Sequence, residues 1–376
     1  MRVLFVDNSG AKVTPSGWDF GDRHVGRMIL SCAAAVSQAT HLVSYRGENN
    51  ENNGVTPAAY ASSEVFFLPV AVPNGGRLQK LAAYARCWPQ VWRAVADAQI
   101  CYVFYPGHLT TLALLAAMAQ GKPFGVYLRG ELGLRSSFSR LVFSRARFVI
   151  AEGKVLADWA ARFCKDVELA APVCELSLED VPQEKTARTH GPWNILFVGY
   201  IWRRKGCYEL LQAAAALRQR GVDFNLYMVG QNALDKYPDC FGAIRDRVFF
   251  TGHIADRAQL RRYYEQADLF CLPSHDEGFP RVLYEAMLYK VPIVTTFVGS
   301  IPGLMKDGEN CLRVEVGNPQ QLADVIQRAL DDCALRQRLM ENGLRTVEPI
   351  IRKMMEESCD QQLLRKLRQY ARSQAG

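Results

Sequence analysis

Strand-length apolar runs alternate with stretches of helical periodicity along nearly the whole chain. That alternation restricts the fold to α/β units built on parallel sheets. In the first half the strands fall near 2–7, 41–45, 64–68, 100–104, 124–128 and 147–151, with helices near 22–38, 76–97, 109–120 and 153–164. Segment 177–191 is charged, carries Pro182 and Gly191, and lacks apolar periodicity, which marks a linker. A fresh strand at 194–198 opens the second half. It is followed by a helix over 206–220 and strands near 224–229, 247–250, 268–272, 292–295 and 311–314. Asn318-Pro319 supplies a cap and first turn for a helix near 318–331, and 352–372 is expected as a final helix.

The 376 residues suffice for two domains of ordinary size. The expected division is 1–180, a linker at 181–193, a second domain at 194–351 and a terminal helix within 352–376. No run reaches the ~18–20 apolar residues of a membrane helix. The best candidate, 109–119, is short and alanine-rich and is expected as a packed helix. The chain opens directly into Arg2-Val3-Leu4-Phe5-Val6-Asp7, with no charged leader, so a cytoplasmic protein is expected. Eleven scattered cysteines without a Cys-x-x-Cys pair point to free thiols rather than a disulfide framework or a zinc site. The absence of Gly-x-Gly-x-x-Gly and of a Walker-type loop argues against a nicotinamide dehydrogenase and an ATPase.

The net charge of +7 is uneven: between Arg77 and Arg147 stand ten basic residues against two acidic ones. Trp88, Trp92, Phe138, Leu141 and Val142 interleave with them, and 135–147 is both amphipathic and basic. Such a surface suits anionic lipid headgroups at the inner face of the plasma membrane, or an acidic acceptor. The alternative is a solvated helix packing its apolar stripe on its own domain. No nucleic-acid-binding motif accompanies the charge, so nucleic acid is not expected as a partner.

The chemistry concentrates between Glu277 and Glu285. An apolar strand ends at Pro273, the polar loop Ser274-His275-Asp276-Glu277-Gly278 follows, and after Pro280 the apolar positions 282, 283, 286 and 287 recur at helical spacing. Free amides at a strand–loop–helix junction attract anions. Two carboxylates about two turns apart suit sugar hydroxyls.

This stretch resembles the Glu-x7-Glu signature of the retaining glycosyltransferases of the GT-B fold, family 4. The similarity runs from Asn194 to about Gln327. It takes in Phe197-Val198-Gly199, Lys205-Gly206, Val229-Gly230, Phe250-Thr251-Gly252, both glutamates, Pro292-Ile293-Val294 and Val298-Gly299-Ser300-Ile301-Pro302, in the family's order and spacing. The resemblance implies two Rossmann-like doubly wound parallel-sheet domains facing a central cleft. The first would bind the acceptor and the second a nucleotide-diphosphate sugar, with the final helix crossing back to the first. It implies metal-independent transfer of a hexose-type sugar, with retention, to a glycan or lipid-linked acceptor, as in bacterial surface-polysaccharide synthesis, without a cofactor.

Residue by residue, the resemblance gives Lys205 to the diphosphate, Glu285 to the ribose hydroxyls and Glu277 to the donor sugar, with the amides of Gly278 and Phe279 nearby. Gly199, Gly230, Gly252 and Val282 fall among the donor landmarks. Tyr200 stands where the family has an arginine, and Arg203 and Arg204 are the candidates to replace it. His108 and Tyr105 compete for the position of a family histidine, Arg129 is a candidate for a phosphate, and Ser16-Gly17 loosely matches a glycine-containing acceptor loop. Ser300 replaces a second glycine after Gly299. A nucleotide-sugar epimerase of the same fold, and a catalytically weak nucleotide-sugar-binding scaffold subunit, remain alternatives.

Overall fold

The computed structural model describes residues 1–14, 17–20, 23–45, 65–71, 77–130, 136–171, 176–278 and 280–374. It divides into two units, 1–173 with 357–376, and 174–356.

The first unit runs β1 (Arg2–Thr14), β2 (Gly17–Phe20), α1 (Arg23–Ala33), β3 (Gln38–Tyr45), β4 (Val65–Ala71), α2 (Arg77–Asp97), β5 (Ile100–Tyr105), α3 (His108–Ala119), β6 (Phe124–Leu128), α4 (Ser137–Arg145), β7 (Phe148–Ala151), α5 (Lys154–Ala160) and β8 (Val167–Leu169). The sheet order is β4-β3-β1-β5-β6-β7-β8, with β2 antiparallel to β1 and the other pairs parallel. Every residue of β5, β6 and β7 is buried, as a parallel sheet covered on both faces requires.

The second unit runs β9 (Trp193–Val198), α6 (Cys207–Gln219), β10 (Phe224–Val229), β11 (Val248–Gly252), α7 (Arg257–Gln266), β12 (Leu269–Leu272), α8 (Val282–Leu288), β13 (Ile293–Thr296), β14 (Leu312–Val314), α9 (Pro319–Asp331) and α10 (Cys333–Glu356). Its six strands are all parallel, in the order β11-β10-β9-β12-β13-β14. Asn318 caps α9 by accepting from the Gln321 amide at 3.0 Å, with Pro319 as the first helical residue. The last helix, α11 (Cys359–Ser373), belongs to the first unit. Its Gln362 and Arg365 bond Glu168 at 3.0 and 2.5 Å, and Lys366 pairs with Asp166.

Several expectations shift. The strand expected at 2–7 continues to Thr14 and turns back through β2, pairing Val13 with Trp18 and Thr14 with Gly17. The expected final helix at 352–372 is two: α10 ends at Glu356, and Ser358 starts α11 with a capping box, its amide donating to Gln361 Oε1 at 2.8 Å. The segment expected as a linker, 181–193, falls inside the second unit, where specific bonds hold it. Lys185 Nζ donates to the Tyr264 carbonyl at 2.6 Å, Arg188 pairs with Asp268 at 3.0 Å, and the Ala187 amide donates to Gln337 at 3.1 Å.

Those bonds surround a cavity of about 350 Å³ at the amino ends of β9 and β12, lined by Lys185, Arg188, Asn194, Glu265, Asp268 and Arg336 among others. Arg336 is buried, lies over the Trp193 ring at 4.6 Å, and donates to the carbonyls of Ala329, Leu330 and Arg188. Burial pushes the Lys185 amine down to about 7, against the opposing pull of Asp268 and Glu265. Between that value and the ordinary lysine range the unfolded chain holds a proton that the folded one lacks. This group's contribution to stability therefore rises with pH above about 7. Lys185→Met should raise the melting temperature at pH 6, with a gain that shrinks by pH 9. An equal shift at both pH values would contradict a depressed amine.

Candidate functional site

In the second sheet the order reverses between β9 and β12, and doubly wound sheets bind ligands beyond the carboxyl ends at such a switch point. Two glycines let the loops there touch backbone to backbone. Gly206 has a φ of 69°, and a Cβ on it would lie 2.0 Å from the Pro273 carbonyl oxygen at the end of β12. Gly299 has a φ of 56°, and a Cβ there would lie 1.8 Å from the Glu277 carbonyl oxygen. The Ser300 amide then donates to the Gly278 carbonyl at 2.9 Å. The turn after β9, the loop after β12 and the loop after β13 are thus locked together.

This locking brings Lys205 to Glu277. The amine lies 2.6 Å from both carboxylate oxygens, and Ser274 Oγ donates to Oε1 at 2.7 Å. The Glu277 side chain is only 6% exposed, against 25% for Lys205. A buried carboxylate with such partners is held in one geometry. Arg204 pairs with Asp276 on the surface and lies over the Trp202 ring at 5.5 Å, while Arg203 lies over Tyr208 at 4.6 Å. His275 joins the turn from both sides, its amide donating to the Arg204 carbonyl at 2.9 Å and its Nε2 lying 2.9 Å from Glu209. Tyr200 is exposed, with its ring edge-on to Trp202 at 5.7 Å. Lys205, Arg203 and Arg204 therefore share one short turn, each already engaged within the unit.

Glu285 lies one turn into α8, and accepts from the Tyr264 hydroxyl at 2.6 Å. Burial pushes its carboxyl above the usual range, while the Tyr264 hydrogen bond and the charges of Arg281 and Arg257 pull the other way. The two glutamates do not flank one continuous helix, because α8 starts at Val282 and Glu277 sits in the preceding loop. Phe279 lies outside the described residues. The amides of Gly199 and Gly230 donate to the carbonyls of Val229 and Gly252, both at 2.9 Å. These two glycines thus permit close passage of chains instead of offering free N–H groups; a Cβ on Gly230 would lie 1.9 Å from the Gly199 carbonyl oxygen. Tyr264 is the residue that sequence reasoning missed, since nothing in a charged helix marks one tyrosine as the partner of a glutamate 21 residues on.

In the first unit the sequence candidates separate. His108 is exposed as the first residue of α3, at the carboxyl end of β5, with its ring 5.7 Å from that of Tyr84. Asn8 caps that helix, its Oδ1 accepting from the Leu109 amide at 2.9 Å. Tyr105 is a core residue whose hydroxyl meets Ser139 Oγ at 2.7 Å, so it is no substrate contact. Arg129 is held 2.6 Å from the buried carboxylate of Asp7, an engagement within the first unit. Ser16 lies outside the described residues, and Gly17 is paired in the β1–β2 hairpin instead of forming a loop. Among the described residues no group of three or more His, Cys, Asp or Glu is placed to hold a metal ion.

Residues 192–332 match the family model described as glycosyl transferases group 1. The capsular polysaccharide biosynthesis glycosyltransferase CapM of Staphylococcus aureus is 30% identical over 156 residues, 40% of each chain. The chain spans about half the length, or less, of the curated relatives it matches first, between 39% and 51%. Among solved structures, sucrose-phosphate synthase of Thermosynechococcus elongatus superposes with a TM-score of 0.66 at 18% identity, over 99% of both chains. HepE of Anabaena, in complex with UDP, gives 0.58 at 17% identity over 95% of this chain and 99% of its own. These likenesses establish the fold as GT-B, two Rossmann-like units with parallel sheets.

Lys205→Met strands a buried carboxylate and should cost about 3 kcal/mol of stability. Adding Glu277→Gln should restore most of the loss, with both read by denaturant unfolding. A single variant as stable as the wild type would show that the pair is not a fixed part of the fold.

Proposed function

We propose that this chain, whose residues 192–332 match the glycosyl transferases group 1 family model, moves a hexose-type sugar with retention from a nucleotide-diphosphate sugar to a glycan or lipid-linked acceptor. The observation that carries the reading is the Lys205 amine astride both oxygens of Glu277 at the switch point of the second sheet. Breaking the bond to the anomeric carbon builds negative charge on the leaving diphosphate, and a cation beside it lowers that barrier. The arriving diphosphate takes the Lys205 amine, and the freed Glu277 carboxylate accepts from the donor sugar's hydroxyls. Arg203 and Arg204, on the same turn, supply the further charge that the family's arginine would give where Tyr200 stands. Glu285 accepts from the ribose.

Cationic side chains cover the leaving-group charge, so the reading invokes no metal. Retention follows front-side attack, with the leaving phosphate taking the acceptor's proton; Lys205 and Glu277 act by position and field. The uridine nucleotide bound in HepE makes uridine donors the first to try. The capsular role in the printed name of CapM supports a surface-polysaccharide acceptor. A binding scaffold is the second reading, favoured by the exposed Tyr200 in the place of a cation.

A thermal-shift screen with uridine, guanosine, adenosine, cytidine and thymidine diphosphates and their sugar conjugates tests the donor. A ligand at a hundredfold its Kd adds about 2.7 kcal/mol, a shift of several degrees in one base series. Glu285→Ala should abolish that shift with the fold intact. Stabilisation without turnover on any acceptor would favour the scaffold, and turnover of donor without an acceptor would favour an epimerase.

The first unit is proposed to rest on an anionic membrane. The exposed stripe of α2 carries Arg86, Trp92 and Arg93, and that of α4 carries Arg140, Leu141 and Arg145. No helix among the described residues is long and apolar enough to cross a membrane, so the contact is peripheral. Sedimentation with phosphatidylserine vesicles should fall steeply from 50 to 300 mM salt and in an Arg140→Ala, Arg145→Ala double variant. Binding equal to that on neutral vesicles would remove the proposal.

A further inference from the structure

The Tyr264 side chain is fully buried, with its ring stacked between Phe270 at 5.9 Å and Tyr289 at 5.3 Å. Its carbonyl accepts from Lys185 at 2.6 Å near the end of α7, and its hydroxyl donates to Glu285 Oε2 at 2.6 Å. The residue is thus held at its backbone carbonyl and at its hydroxyl. Burial first, and then the Glu285 charge, push its own titration well above the ordinary tyrosine value, so it remains a donor at any working pH. The groups acting on Glu285 are Tyr264 and Arg257 from α7 and Arg281 from the loop before α8. Tyr289, at the end of α8, stacks on Tyr264 and lies 5.9 Å from the Arg261 guanidinium.

We propose that Tyr264 is a positioning residue for the donor: its hydroxyl fixes Glu285 in the one orientation from which it accepts the ribose hydroxyls. The inference rests on the ribose role of Glu285 proposed above. Without the hydroxyl, a buried carboxylate keeps its desolvation and loses its nearest donor. Its protonation moves to higher pH, and nucleotide affinity, which needs the carboxylate, is lost from a higher pH downward.

The test measures affinity against pH from 5 to 8.5 by calorimetry. Its probe is whichever of the five nucleoside diphosphates wild-type protein binds most tightly. Tyr264→Phe keeps the stacked ring and should weaken binding about tenfold at pH 7, with the acid limb moved up by about one unit. In a Glu285→Gln background the same substitution should do nothing further. Phe270→Leu, which disturbs the stack but leaves the hydroxyl, should lower the melting temperature without moving the limb. If Tyr264→Phe does not fold, 3-fluorotyrosine installed at 264, a stronger donor, should move the limb down.

Loss of binding in Glu285→Gln with an unmoved limb in the Tyr264 variant overturns this inference alone. Wild-type affinity in Glu285→Gln, or no binding of any diphosphate by wild-type protein, overturns the donor reading with it.

Discussion

The second unit is organised by a backbone contact more than by any side chain. Where the turn after β9 meets the end of β12, Gly206 sits against the Pro273 carbonyl at a distance that no side chain allows. Where the loop after β13 meets the loop after β12, Gly299 does the same against Glu277. Substituting either glycine would push loops apart that must touch for Lys205 to span both oxygens of Glu277 at 2.6 Å. The ion pair is therefore the outcome of main-chain packing. Its partners come from loops 72 residues apart in sequence, and neither could choose the other without the glycines.

Much of this was legible beforehand, because parallel strands that are buried on both faces leave an apolar signature that period and length betray. The run ending at Pro273, the strand before Gly199 and the cap at Asn318 all appear in the structure within a few residues of where pattern places them. Elements were missed where the pattern is diluted. Helix α7 carries little apolar surface besides Leu260, Tyr263 and Tyr264, and α10 contains both Gly343 and Pro349, so neither shows a clean period. The β1–β2 hairpin was hidden because its glycines suggested an open loop, whereas the backbone pairs.

The candidate site was legible in its membership more than in its bonding. Lys205 and Glu277 carry their chemistry in their identity, but which atoms they meet depends on contacts between distant loops. Tyr105 and Arg129 show the opposite failure. Tyr105 ends one strand and Arg129 follows the next, yet Tyr105 meets Ser139 in the core and Arg129 pairs with the buried Asp7. Whether a polar residue at a strand end is turned into the core, as Tyr105 is, or left at an open loop junction, as Lys205 is, depends on contacts that local sequence does not record.

The fastening of 181–193 has a consequence of a different kind. Lys185 holds the main-chain carbonyl of the same tyrosine whose hydroxyl holds Glu285, so a segment beside the amino ends of the strands is tied through one residue to Glu285 on α8. Drift in this stretch is then not neutral. A substitution at 185 alters the background against which changes at 264 and 285 are judged, and residues in contact through a shared partner do not contribute additively. Lineages that diverge in this charged segment would tolerate different residues at Glu285. The history of the site would be written partly at the far end of the sheet.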